Sequence, residues 1–482
     1  MVFSSTVFLF LFLPTLLLAY TLAPRFLKNT LLLLASLLFY AWGEGGYVVL
    51  VLVYVLVNQV LGWYVGKAPR GSKAAKSLVG WSVVLNLLML VGFKYTNFLV
   101  ENVNTLLGWL HLAPLDIGHV HLPIGVSFFT FQAMSYVIDV YRGEAQARKN
   151  PIDVALYKAL FPQLIAGPIV RFKDVADQIR ERFVTIDGFA YGVKRFTVGL
   201  AKKMLIANIV AAPVDEIFSL HPSHLSPALT WLGIVGYALQ IYFDFSGYSD
   251  MAIGLAKMFG FDFKENFAHP YVSRSVTEFW RRWHISLSTW FRDYLYIPLG
   301  GNRGGEWKTY RNLLIVFFLC GLWHGASWTF VIWGLHHGLF LVLERRGLKG
   351  LLERSPVPVR HAYTLLVVLV GWVFFRAPSL GYALAWLQAM AGFAPSSGTM
   401  VLTTSTLNPL FWTSLVAGIV GSAPIVPWLL AKIESARVAA KSPARFEIAL
   451  GIASNAVVFL VFFLCAAALS SSTHNPFIYF RF

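Results

Sequence analysis

Apolar residues in this chain do not mark one face of a helix; they fill whole runs. Stretches 7–23, 29–42, 47–66, 77–93, 122–138, 226–243, 312–323, 326–343, 362–375, 407–431 and 448–469 carry almost no charge. A helix that is apolar all round is buried in protein or in lipid, and about 20 residues cross the hydrocarbon core. The pattern predicts an all-α polytopic membrane protein with roughly eleven spans. Shorter runs such as 29–42 must borrow flanking residues or lie inside the protein. The first run, 7–23, has no basic segment before it, and its only candidate cleavage point is followed by Pro24. It reads as a retained span rather than a signal peptide.

The middle of the chain breaks this rhythm. From Asp153 to Arg311 charges, histidines and helix breakers interrupt the apolar runs, with Pro162, Gly167 and Pro168 close together. Non-helical backbone at membrane depth is tolerated only inside protein or beside a cavity. The 161–168 segment is therefore either a kinked helix or, the reading favoured here, a re-entrant segment against a substrate tunnel. No internal repeat, low-complexity tract or soluble domain is visible, so residues 1–482 read as one membrane-embedded domain.

Composition sharpens the class. Only 13% of residues are charged and 57% are hydrophobic, against about 25% charged in ordinary soluble proteins. A disordered chain, a disulfide scaffold and an ordinary cytosolic enzyme are excluded. The net charge of +16 would point to nucleic acid in a soluble chain. Here the cations lie mostly between apolar runs, as in loops held on the cytoplasmic side, and no nucleic-acid partner is expected. Arg25 and Lys28 follow the first run, Lys67, Arg70, Lys73 and Lys76 the third, and Arg142, Arg148 and Lys149 the fifth. The intervening loops 43–46 and 97–121 carry Glu44, Glu101 and Asp116 with no Lys or Arg. This alternation places the N-terminus outside the cell and the basic loops, including 345–354 and 432–445, in the cytoplasm.

Two stretches carry candidate chemistry. In 278–293, a continuous helix at about 100° per residue would put Arg281, His284, Ser288 and Arg292 on one face. Trp280, Trp283, Leu287, Trp290, Phe291 and Tyr294 would fill much of the rest. An interfacial anchor and a functional histidine both fit that pattern. In 320–338, His324 ends an apolar run near membrane depth, where ionisable groups are functional by default; a hydrogen-bonded structural histidine is the alternative. Gly325 would admit a backbone or a ligand, and one of His336 and His337 supports the site or the fold. A zinc site from His324, His336 and His337 matches no HExxH-type spacing, and no acidic residue lies between the three. Cys320 paired with His324 at i,i+4 is a conceivable nucleophile, though Cys is also a common packing residue. Cys320 and Cys465 form no disulfide framework.

Trp323-His324-Gly325, followed by Trp333-Gly334 and His337-Gly338, resembles the signature of the membrane-bound O-acyltransferase family. The Arg281-Arg-Trp-His284-Ile-Ser-Leu-Ser block resembles its bacterial branch. So do Gln240-Ile-Tyr-Phe-Asp-Phe-Ser-Gly-Tyr-Ser-Asp250, Leu122-Pro-Ile-Gly-Val-Ser-Phe-Phe-Thr-Phe-Gln132, the opening Met1-Val-Phe-Ser-Ser5 and the closing Pro476-Phe-Ile-Tyr-Phe-Arg-Phe482. Within that branch the likeness is to membrane subunits that serve alginate O-acetylation. Cys320 is not part of the pattern.

The resemblance implies a tunnel through a thinned membrane region, with His324 catalytic and His284 the second histidine. It makes Trp323, Arg281, Ser288, Asp250 and Gln240 candidates for substrate binding. No bound cofactor or metal is implied; acetyl-CoA is the implied acyl donor, from the cytoplasm. The acceptor would be an alginate-like or cellulose-like exopolysaccharide, reached indirectly through an extracytoplasmic acetyltransferase partner, at a bacterial inner membrane. D-alanyl or other acyl transfer to a cell-wall polymer is the alternative within the family. Outside it stand a transporter or flippase, although such folds often repeat their helix breaks in matching positions, and a scaffold subunit without chemistry. Arg171, Lys173, Lys194, Arg195, Lys202 and Lys203 are candidate attractors for the donor's phosphates.

The charge alternation gives a first prediction. A single cysteine placed in loop 67–76 should be modified by membrane-impermeant thiol reagents only after the cells are opened. Labelling of intact cells would overturn the assigned orientation.

Overall fold

The computed structural model describes residues 1–393, 407–439 and 442–471; the closing 476–482 motif lies outside them. A short apolar helix, Phe8–Leu22, leads into α1 (Lys28–Glu44) and α2 (Val48–Lys67). These two meet at Gly45, whose φ of +54° lies where only glycine turns without strain. α3 (Lys73–Leu90) passes through a π-helical turn, Val91–Tyr95, into α4 (Thr96–Trp109), and α5 (Val126–Arg142) follows a long loop. Among the described residues six helices are long and apolar enough to cross a membrane. A seventh is counted if the bent pair Pro409–Ser422 and Ile425–Val438, at 64°, is one span. The runs 29–42 and 47–66 both fall in one helical stretch, Arg25–Lys67.

The middle of the chain is broken, as its Pro and Gly residues predict. α6 (Pro151–Ala159) and the single turn α7 (Phe161–Leu164) give way to non-helical backbone before α8 (Phe172–Arg180). Residues 165–170 are all buried. Buried peptide groups away from water need partners, and side chains supply them. The Phe161 N–H donates to Ser36 Oγ (3.1 Å), the Ile169 N–H donates to Ser286 Oγ (3.0 Å), and the Tyr157 hydroxyl donates to the Val170 carbonyl (2.9 Å).

Loops grouped by charge also meet in space. His121 Nε2 lies 3.2 Å from Glu44, and the N-terminal amine donates to the Phe39 carbonyl, also at 3.2 Å. Loops 43–46 and 119–125 thus share one end with the N-terminus. At the other end Lys67 and Arg70 line a cavity with Tyr141 and Gln146. The protein has an acidic-loop end and a basic-loop end.

α9 (Ile186–Ala201) and α11 (Pro227–Met258) flank α10 (Asn208–Ser219) in sequence and pack backbone to backbone. Gly192 faces Gly254 and Gly199 faces Gly247, at the seven-residue spacing of both helices. Such small residues drive helix association where lipid offers no hydrophobic force. A Cβ on Gly254 would sit 2.6 Å from both the Gly192 carbonyl oxygen and the Phe196 nitrogen. Gly254→Leu should therefore lower the midpoint of thermal unfolding in detergent, by an overpacking cost of about 1–3 kcal/mol or more. Gly350→Leu, at a position with nothing within 4 Å, is the control. Equal stability of the two variants would refute the packing argument.

Candidate acyl-transfer site

The 278–293 stretch is not one helix. α12 (Val276–Arg282) and α13 (Ile285–Phe291) are separated by His284, which adopts a left-handed conformation at φ +45°. That backbone is costly for a residue with a Cβ and concentrates at functional sites. The break removes His284 from the face predicted for it. Arg281, Ser288 and Arg292 instead line a largely apolar groove of about 210 Å³ with Trp280 and Cys320, while His284 turns inward and is fully buried.

Asn266 holds His284 in place. Its Oδ1 accepts the Ser286 N–H (3.1 Å) and the Ser286 hydroxyl (2.8 Å), which fixes the orientation of the amide. The same oxygen lies 3.2 Å from His284 Nδ1. A carbonyl oxygen only accepts, so Nδ1 carries the proton and Nε2 keeps its lone pair. Nε2 has no protein partner. Asn266 Nδ2 donates to Ser249 Oγ (3.0 Å), which ties the unit to α11.

α14 (Glu306–His324) and α15 (Trp328–Leu343) form a hairpin. It closes on Gly321 and Gly334, which pack against the carbonyl oxygens of Phe330 and Phe317. The space beside Gly325 is filled by the Phe330 ring rather than left to a ligand. His324 is the last residue of α14, 6% exposed, and neither ring nitrogen has a protein partner. Its ring centroid is 6.4 Å from that of His284. Trp323, Trp333 and Phe375 lie 4.9, 4.9 and 5.2 Å from it. Trp333 also contacts His337 at 5.2 Å, and His336 Nε2 is 2.9 Å from the Val367 carbonyl. Two buried imidazoles with open nitrogens can pass a proton to and from a reacting group between them.

One cavity reaches His324, and a smaller cleft at the other end is lined by Ile285 and Ser286, next to His284 in sequence. The cavity, at the acidic-loop end, is about 430 Å³ and is lined by His119, His121, Lys94, Ser127, Trp323 and His324. The cleft, at the basic-loop end, is about 50 Å³ and is also lined by Arg171, Asp174, Lys264 and Glu265. Trp323 is thus at the site. Gln240 is buried on α11 with its Oε1 unpartnered. Asp250 is drawn to Arg195 and Lys202, each at 2.7 Å, rather than to the histidines.

The cations expected to attract a donor are largely engaged. Arg171 pairs with Asp174 (2.8 Å) and Asp293 (2.6 Å), Lys173 with Glu144, and Arg195 with Glu265 (2.5 Å). Lys203 pairs with Asp244 at 2.6 Å, and Lys194 donates to Ser454 Oγ. Burial alone would raise the Asp174 carboxyl; Arg171 and Lys264 outweigh it and hold Asp174 below its ordinary value. The collective field of these cations is correspondingly weaker than their number implies.

Sequence reasoning missed Asn266 and Lys94. Nothing local marks Asn266. Lys94 carried a signal, since it stands in an apolar neighbourhood between Phe93 and Tyr95.

Residues 125–380 match the model of the membrane-bound O-acyltransferase family. A probable alginate O-acetylase of Azotobacter vinelandii is 42% identical over all of both chains. That of Pseudomonas putida is 44% identical, again over all of both. A peptidoglycan O-acetyltransferase of Helicobacter pylori is 36% identical over 81% of this chain and 80% of its own.

Asn266→Ala should lower turnover by at least about tenfold, because the His284 ring loses the acceptor that sets its tautomer. Asn266→Asp, which keeps an acceptor oxygen, should retain more. Steady-state kinetics on both variants checks this; equal loss in the two would remove the tautomer argument.

Proposed function

The chain belongs to the membrane-bound O-acyltransferase family, and we propose that it relays acetyl groups from acetyl-CoA across the membrane for O-acetylation of an exopolysaccharide. It is an O-acyltransferase and a multi-pass membrane protein. The observation that carries the site assignment is the buried pair His284 and His324, with three ring nitrogens that have no protein partner and a cavity of about 430 Å³ that reaches His324.

In this reading His324 is the general base. Its neutral ring takes the proton from the acceptor hydroxyl as that oxygen attacks the thioester carbonyl. A tetrahedral oxyanion forms, the carbon–sulfur bond breaks, and the proton passes to the departing thiolate. His284, its Nδ1 anchored on Asn266, directs the Nε2 lone pair of a second imidazole toward the site. Trp323 Nε1, at the cavity and without a protein partner, is the donor we assign to the oxyanion.

The donor enters at the basic-loop end, by way of Ser286 and the Asn266–His284 unit. The basic loops support placing that end in the cytoplasm of a bacterial inner membrane. The acceptor cavity then faces outward, where an extracytoplasmic acetyltransferase partner takes the acetyl group and delivers it to the polymer. The polymer we propose is alginate or a similar exopolysaccharide; the support is full-length similarity to alginate O-acetylases.

Release of coenzyme A by the purified protein with acetyl-CoA and its extracytoplasmic partner tests the reading. His324→Ala should lower that release by roughly 10²–10⁴-fold while the protein remains monodisperse in detergent. Near-normal turnover would overturn the catalytic assignment.

A further inference from the structure

Helix α14 ends in the middle of the protein, and its last carbonyls need donors. An α-helix leaves its final four C=O groups without partners of its own. Gly321 O accepts the Gly325 N–H at 3.2 Å. The other three are reached from the π-helical turn between α3 and α4. The Tyr95 hydroxyl donates to Leu322 O at 2.5 Å. Lys94 Nζ donates to Trp323 O at 2.5 Å and to His324 O at 2.9 Å. The remaining ammonium hydrogen goes to Ser127 Oγ (3.3 Å), near the start of α5.

We propose that Lys94, assisted by Tyr95, is a positioning residue of the acyl-transfer site: it caps the carbonyl end of α14 and thereby aims the His324 ring. The inference rests on the reading that His324 is catalytic. Lys94 is 8% exposed, and its three partners are two carbonyls and a hydroxyl, none a carboxylate. An ammonium held without a carboxylate at this depth is expensive. The negative end of the helix dipole offsets part of that cost. A glycine-based cap would satisfy the same carbonyls without burying a charge, but it would not tie them to a neighbouring helix. Lys94 instead locks α14, α5 and the α3–α4 stretch together on the floor of the cavity that reaches His324. With all three N–H groups engaged, the ammonium holds the histidine and leaves the reacting atoms to other groups.

The test uses the full chain in detergent or nanodiscs. Lys94→Met should lower turnover roughly 10–100-fold at saturating acetyl-CoA, the cost of a misplaced catalytic group, with the donor KM changed less than about twofold. Lys94→Ala should regain turnover saturably when ethylammonium is added, whereas His324→Ala should not. Amide hydrogen exchange in a peptide spanning 322–326 should quicken in Lys94→Met. Turnover of Lys94→Met above half of normal would overturn the proposal. So would unchanged exchange, or failure of the amine to rescue a well-folded Lys94→Ala. If neither Lys94 variant folds, Tyr95→Phe decides, because it keeps the ring and removes one cap bond; full turnover there refutes the proposal. An inactive wild-type protein would refute the functional reading instead, while the exchange measurement would still report on the cap.

Discussion

At membrane depth a peptide group that leaves its helix must find a partner, and the architecture around His284 and His324 follows from that demand. Each break near the pair is closed by a side chain borrowed from a distant segment. Ser36 and Ser286 receive N–H groups of the broken 161–170 stretch, while Asn266 receives the Ser286 amide just beyond the His284 turn. Lys94 and Tyr95 donate to the carbonyls where α14 stops. The same bonds that make broken helices tolerable therefore fix the geometry of the site. Regular helices would need none of them, and would leave both histidines on continuous faces.

The apolar runs were legible because lipid burial is written residue by residue, without reference to the rest of the chain. The break in the helices at 165–171 was legible for a similar reason: Pro162, Gly167 and Pro168 are local breakers. The turn at His284 was not, since Trp283-His284-Ile285 contains neither Gly nor Pro, and helical periodicity alone joined Arg281, His284, Ser288 and Arg292. What turns the chain there is Asn266, 18 residues away. The ion pairs were equally hidden. Arg195 meets Asp250 across 55 positions, and Arg171 meets Asp293 across 122, so their positive charges looked free when counted along the sequence. His324 was found by its cost at membrane depth and by the surrounding motif, whose meaning came from resemblance rather than from spacing.

Glycine and aromatic residues divide the remaining work. Gly192, Gly199, Gly247 and Gly254 bring α9 and α11 to backbone contact, and Gly321 and Gly334 do the same for α14 and α15. Close-packed backbones present few alternative arrangements. The site thus rests on rigid pairs of helices, with its open nitrogens between them.

The rings around the histidines have an electrical consequence. Phe245 lies 4.6 Å from His284, and Trp323, Trp333 and Phe375 enclose His324. Among the described residues the two cavities share no lining side chain. An energised membrane drops about 2.3 kcal/mol per elementary charge for every 100 mV, and in the orientation proposed above these rings lie between the donor side and the acceptor side of that drop. On the reading proposed above, a two-carbon group would pass this layer by exchange between bound groups rather than through an open pore, so polymer modification would not discharge the membrane gradient.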